Sequence, residues 1–179
     1  MVSKRLTRVE ESATMKMGSI AKKLQAEGKS VLNFSLGEPD FKTPGHICEA
    51  AKRALDFGYT HYVSSAGVDE LREAIAGKIR EENEVDVSAE NVIVTPGAKQ
   101  AIYELMMSVL DDGDEVILLD PAWVTFESAV KLAGGNPKWV KRLEEEVNYD
   151  SIVSAVSENT ELIIINSSNN PARYVRSET

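Results

Sequence analysis

The sequence predicts an α/β fold in which a parallel sheet is covered by helices on both faces. Short runs of mostly branched apolar residues occur at 92–94, 116–119 and 161–165. Longer segments whose apolar residues recur at helical spacing lie between these runs. Strands separated by helices of several turns are expected to pair in parallel, because a crossover helix returns the chain to the same edge of the sheet.

The part of the chain before the sheet predicts three helices. Met17, Ile20, Ala21 and Leu24 share the face of the first helix, which Gly28 ends. A short extended segment at 31–35 then leads into a turn at 37–40, where glycine and proline interrupt any regular element. The second and third helices are predicted at 47–55, ended by Gly58, and at 68–79.

The rest of the chain alternates between strands and helices. The strand at 92–94 precedes a helix at 98–109, and the strand at 116–119 precedes a helix at 123–133. A weaker strand at 139–140 and a short helix at 152–156 come before the strand at 161–165. The run at 161–165 is continuous and β-branched, so we expect this strand to be buried on both faces.

Composition narrows the function classes. The net charge of −9 argues against nucleic acid as the main partner, since phosphate backbones require a basic surface. The single cysteine, Cys48, cannot form an internal disulfide and is typical of a reducing compartment. The sequence contains neither an apolar run of membrane-spanning length nor a secretory signal, so we expect a soluble cytoplasmic protein.

Residues suited to binding an anionic aromatic ligand fall at strand ends or in loops. Gly97, Ala98 and Lys99 join a strand to a helix, where free amides, the helix dipole and a lysine favour an anion. Trp123 opens the next helix and could stack on a flat ring, and Asn170 could donate a hydrogen bond to a ring oxygen. Each residue also has a structural alternative: a turn glycine, a core tryptophan or a turn asparagine before proline.

Six motifs resemble those of the class I aminotransferases, the aspartate aminotransferase family of pyridoxal-phosphate enzymes, in the same order and at similar spacing. They are GEPDF at 37–41 followed by Thr43-Pro44, Tyr62 with GVDELR at 67–72, VTPGAKQA at 94–101, DGDEV at 112–116, PAWV at 121–124 and NSSNNP at 166–171. The resemblance implies part of the large, mainly parallel-sheet domain of a fold type I transferase. Residues 1–43 would be an N-terminal arm and small-domain segment, and 44–179 the first half of the cofactor-binding domain.

The resemblance also implies roles for single residues. Gly97, Ala98 and Lys99 would bind the phosphate of pyridoxal 5'-phosphate, together with Tyr62 from the neighbouring subunit of a homodimer. Trp123 would stack on the pyridine ring, and Asn170 would donate a hydrogen bond to its 3' oxygen. The backbone of Gly37 would help to bind the α-carboxylate of the amino acid. No metal site is predicted.

The Schiff-base lysine of the family has no matching motif in this sequence and is expected beyond Thr179. We therefore expect the N-terminal portion of an aminotransferase, inactive alone, whose parent polypeptide transfers an amino group from an amino acid to a 2-oxo acid. Alternatives are a non-catalytic remnant or protein-interaction module, half of a split pyridoxal-phosphate enzyme, and a lyase or decarboxylase of the same fold. Arg173 stands where the family has glycine, which departs from its pattern.

Overall fold

The computed structural model describes residues 2–35, 37–141 and 149–172. The chain divides into two compact units, of which one comprises Met1–Val31 with Pro96–Thr179 and the other Leu32–Thr95. The division at residues 43 and 44, which the family resemblance implies, stays a prediction.

The helices are α1 (Ala13–Ala26), α2 (Gly45–Asp56), α3 (Asp69–Asn83), α4 (Ala98–Val109), α5 (Val124–Ala133) and α6 (Tyr149–Ala155), with 3-10 turns at Lys4–Arg8 and Ala89–Asn91. The strands are β1 (Glu115–Asp120), β2 (Asn136–Lys141) and β3 (Thr160–Ile164).

The first unit is built on a three-stranded parallel sheet in the order β2-β1-β3. The chain passes from β1 through α5 to β2, and then through α6 to β3 on the other side of β1. Val116 in the central strand pairs with Pro137 on one side and with Leu162 on the other. The predicted α/β class with a parallel sheet is thereby confirmed.

Alternation along β1 divides the core into two layers. Val116 and Leu118 point to one face of the sheet and Ile117 and Leu119 to the other, as the two-residue period of a strand requires. The first pair packs with residues of α4 and α5, namely Met106, Phe126, Ala129 and Val130. The second pair packs with Val140 of β2 and with Ile152 and Ala155 of α6. Helices therefore cover both faces of β1.

The expectation that 161–165 is buried on both faces is wrong for β3. Leu162 and Ile164 pack against the α4–α5 layer. On the opposite side, Ile163 is 38% exposed and Ile165, just past the strand, is 56% exposed. Within the described chain β3 pairs with β1 alone, and α6 packs over β2, so the outer face of β3 is only partly covered by the described residues.

The strand predicted at 92–94 is also wrong, because this extended segment pairs with no strand among the residues that the structure describes. Its backbone is bonded to other partners within the second unit. The amide of Val94 donates to the carbonyl of Ala66 at 2.9 Å. The carbonyl of Val92 accepts from Nε of Arg72 at 3.0 Å.

Arg72 joins α3 to the segment that follows it in the second unit. Its Nη2 donates to the carbonyl of Ala89 at 2.7 Å, and its Nη1 donates to Asp69 at 2.8 Å. The side chain is only 16% exposed, so these bonds are partly shielded from water. One guanidinium therefore satisfies two backbone carbonyls, those of Ala89 and Val92, that no sheet neighbour serves.

The amino edge of the sheet is closed by a polar cluster around Glu115. Its Oε2 accepts hydrogen bonds from Nζ of Lys138 at 2.8 Å and Oγ of Ser157 at 2.6 Å, with Oγ1 of Thr160 at 3.4 Å. The hydrogen bond from Lys138, followed by that from Ser157, lowers the pKa of the Glu115 carboxyl below its usual value. The cluster links the first residues of β1 and β3 to β2.

The contribution of Glu115 to stability is tested by replacing it and measuring Tm as a function of pH. Because the folded-state pKa of Glu115 lies below its unfolded value of about 4.3, its stabilisation is complete above that value and is lost as pH falls through the folded-state pKa. We expect Glu115→Gln to lower Tm at neutral pH and the difference from wild type to shrink in acid. Thermal unfolding followed by circular dichroism at several pH values measures this. Glu161→Gln, at an exposed position of β3, is the control, and a Glu115→Gln difference that is constant with pH would contradict the assignment.

Among the glycines of the second unit, Gly67 has the least room for a side chain. Its φ is +111°, and a Cβ there would lie 2.8 Å from Cγ2 of Val94. We expect Gly67→Ala to cost roughly 1–3 kcal/mol in the free energy of unfolding, because backbone strain and overlap act together. Gly77→Ala, in the interior of α3, should instead stabilise by about 0.5–1 kcal/mol. Urea denaturation of both variants measures the difference, and equal effects would refute this account of Gly67.

Candidate functional site

The site is assembled at the carboxyl edge of the parallel sheet, where open α/β sheets hold their ligands. β1 ends at Asp120 and the chain continues through Pro121 and Ala122 to Trp123, the N-cap of α5. The neighbouring strand, β3, ends at Ile164 and leads into the asparagine-rich segment 166–170. Because β1 and β3 are adjacent and parallel, the residues after them emerge at the same edge.

Gly97 begins α4 with a backbone conformation that favours glycine. Its φ is +97° and its ψ is 163°, and a Cβ at this position would meet no atom within 4 Å. The side of Gly97 on which a Cβ would stand is therefore open, and the amides of the first turn of α4 lie at the positive end of the helix dipole. Gly97, Ala98 and Lys99 are all exposed, as an anion-binding turn requires.

Lys99 and Trp123 are brought together although 24 residues separate them in the sequence. The Lys99 Nζ lies 5.7 Å from the centroid of the Trp123 ring, within the range of a cation–π contact. Trp123 also packs edge-on against Phe126, with ring centroids 5.7 Å apart and planes at 84°. Trp123 packs against the core, as the structural alternative expects, but it is only partly buried. Part of the residue therefore stays accessible to a ligand.

The two asparagines after β3 have different environments. Asn170 is exposed, and its backbone amide donates to Oδ1 of Asn166 at 3.5 Å. Asn169 is 5% exposed, and its Nδ2 donates to the carbonyl of Pro121 at 2.6 Å. The sequence analysis named Asn170 and missed Asn169. The signal was available in principle, because neighbouring side chains in non-helical chain tend to point to opposite sides, so that one asparagine of the pair would face inward.

A small cavity lies beneath this edge, beside Asn169. Its volume is about 10 Å³, and Ala122, Phe126, Ile164 and Asn166 are among the residues that line it. This space holds at most one water molecule. A ligand of the size of an aromatic cofactor therefore has to bind outside it, on the exposed side of Trp123 and Asn170.

Tyr62 and Gly37 belong to the second unit, and both are exposed there. Their roles as phosphate and carboxylate ligands stay predictions, as do the cofactor roles of Gly97, Ala98, Lys99, Trp123 and Asn170. Arg173 lies outside the described residues. In the described ranges 2–35, 37–141 and 149–172 no group of three histidine, cysteine or acidic side chains could hold a metal ion, and no helix there is long and apolar enough to span a bilayer.

Comparison with known proteins identifies relatives along nearly the whole chain. The sequence is 42% identical over 180 aligned residues to the probable aspartate/prephenate aminotransferase of Thermus aquaticus, covering 99% of this chain and 47% of the relative. It is 39% identical to the aspartate aminotransferase of Bacillus subtilis, covering 99% of this chain and 46% of the relative. The chain thus spans under half the length of these curated relatives.

Solved structures show the same relationship. The aspartate aminotransferase from Thermus thermophilus with maleate superposes with a TM-score of 0.91 at 42% identity, over 96% of this chain and 46% of that one. The alanine aminotransferase from Pyrococcus furiosus superposes with a TM-score of 0.93 at 30% identity, over 99% and 47%. The family profile described as aminotransferase class I and II matches residues 29–172. The chain belongs to the aminotransferase class I and II family.

Proposed function

We propose that this chain forms part of a pyridoxal-phosphate-dependent aminotransferase that moves an amino group from an amino acid to a 2-oxo acid. The observation that carries the proposal is the placement of Lys99 beside Trp123 at the carboxyl edge of the sheet. A cation at a helix N-terminus next to a partly exposed indole suits a ligand that is both anionic and flat. Membership of the family supports the choice of pyridoxal phosphate among such ligands.

The residues present fit this cofactor. The first turn of α4, with Gly97 and Lys99, would hold the phosphate through backbone amides and one ammonium group. The exposed part of Trp123 would cover one face of the pyridine ring. The amide of Asn170, exposed at the same edge, would donate to the 3' oxygen of the ring. When bound, pyridoxal phosphate supplies a carbonyl that captures the amino group and a ring that withdraws electrons from the α-carbon.

The substrates are proposed by class. The named relatives include enzymes described for aspartate, for aspartate and prephenate, and for alanine, so we propose an amino acid and a 2-oxo acid without choosing the side chain. The exposed backbone at Gly37 would contribute to binding of the α-carboxylate. We further propose a homodimer in which Tyr62, fully exposed within its own unit, serves the site of the neighbouring subunit.

A split or partnered enzyme is a second candidate, and the partly covered outer face of β3 favours it. Ile163 and Ile165 are large apolar residues exposed next to each other on that face, with Val153 and Val156 of the α6 region exposed as well. Large apolar side chains exposed beside an edge strand favour burial against more protein. The covering segment could come from the same polypeptide or from a second chain that carries the catalytic lysine.

Lys99→Gln tests the phosphate role. We expect the dissociation constant of pyridoxal phosphate to rise about tenfold, equivalent to about 1.4 kcal/mol, through loss of one charge-assisted bond. Binding of pyridoxal, which lacks the phosphate, should not change. Absorbance titration of the native polypeptide with each compound measures both constants. Lys22→Gln, at an exposed position of α1, is the matched control. Equal weakening for both compounds would contradict the assignment.

The location of the catalytic lysine is tested by trapping. Native, unproteolysed material is loaded with pyridoxal phosphate, reduced with borohydride and analysed by intact mass and peptide mapping. We expect a single cofactor on a lysine outside these 179 residues, because no lysine among them lies in a motif like that of the catalytic lysine. Stoichiometric modification of any lysine within the 179 residues would overturn this proposal.

A further inference from the structure

We propose that Asn169 is a positioning residue that ties the end of β3 to the end of β1, and thereby fixes where Asn170 lies relative to Trp123. The inference rests on the proposed function of this edge, because Trp123 and Asn170 are its proposed ring contacts. It assigns a role to a residue that touches neither the substrate nor the cofactor.

The contact joins the two loops that carry these residues. The Asn169 Nδ2 donates to the Pro121 carbonyl at 2.6 Å across 48 residues of sequence. Pro121 lies two residues before Trp123, and Asn169 lies immediately before Asn170. The bond therefore links the loop that precedes one proposed ring contact to the loop that carries the other.

The difference in burial between the two asparagines supports different roles for them. Asn169 is 5% exposed, whereas Asn170 is exposed at the surface of the same edge. A hydrogen bond shielded from water is stronger and better defined in geometry than one at the surface. The inward asparagine can thus hold the loop while the outward asparagine presents its amide to a ligand.

The Asn169 side chain also lines the water-sized cavity, whose other walls include the apolar side chains of Phe126 and Ile164. Its hydrogen bond to Pro121 is therefore enclosed by the packing beneath the edge and is not offered to a ligand outside it.

Two substitutions of Asn169 separate shape from hydrogen bonding. Asn169→Leu keeps a similar volume and removes both polar atoms, and Asn169→Asp keeps the shape but cannot donate when ionised. Asn136→Leu is the matched control, because Nδ2 of Asn136 also donates to a backbone carbonyl, that of Gly113 at 3.1 Å, at the opposite edge of the sheet. All three variants lose an asparagine-to-carbonyl bond, but only the first two lose it at the proposed site.

Two readouts are used with the full chain. The dissociation constant and absorption maximum of bound pyridoxal phosphate report on the ring contacts. The emission of Trp123, taken as the difference between the polypeptide with Trp123 and the same polypeptide with Trp123→Phe, reports on the loop without any cofactor. Thermal unfolding confirms that the variants compared are folded at the temperature of measurement.

We expect both Asn169 variants to weaken pyridoxal phosphate binding about tenfold, to shift its absorption maximum and to shift the emission of Trp123, whereas Asn136→Leu changes only Tm. Wild-type binding and emission in both Asn169 variants would overturn the inference, as would an equal loss of binding in Asn136→Leu. A wild-type chain that binds no pyridoxal phosphate would overturn the proposed function instead, and the emission of Trp123 would then decide alone whether Asn169 holds the loop.

Discussion

The structure depends on the burial of the central residues of one strand, β1. Val116, Ile117 and Leu118 of β1 have no exposed surface, so β1 needs a strand on each side for its backbone and helices on both faces for its side chains. Parallel neighbours and crossover helices meet both needs at once. This requirement also directs the residues that follow β1 toward a single edge, where α5 begins at Trp123.

The two edges of the sheet differ in how their polar groups are arranged. At the amino edge, Glu115 accepts from a lysine and two hydroxyl groups, and the first residues of the strands are fastened together. At the carboxyl edge the polar groups are left accessible, with Lys99 and Asn170 exposed and Trp123 partly so. Because the strands are joined at the amino edge, the loops of the other edge are available for the proposed site.

Sequence patterns predicted the elements whose signal is local. The helices α4 and α5 and the strand β1 were predicted with small differences at their ends, because apolar spacing directly records which side is buried. The segments 92–94 and 161–165 were misjudged because a strand is defined by its neighbours. Val94 bonds to Ala66, and the described residues cover the outer face of β3 only in part. Neither segment contains a local feature that reveals its partner.

In the candidate site, too, local sequence patterns did not reveal which residues contact each other. The motifs indicated Lys99 and Trp123, but their contact across α4 and α5 comes from helix packing that no local pattern contains. Of the two asparagines at 169–170, the sequence analysis assigned a role only to Asn170. Only the fold shows that the other side chain, that of Asn169, donates to the carbonyl of Pro121.

The partly covered outer face of β3 connects these findings to the length of the relatives. A continuous branched run is suited to a strand buried on both sides, yet Ile163 and Ile165 face solvent in a chain that spans under half of its relatives. Apolar side chains and an open sheet edge together favour the addition of more protein at this edge. Such an addition would lie next to the segment that carries Asn169 and Asn170, so cover for β3 and completion of the proposed site would depend on the same contact.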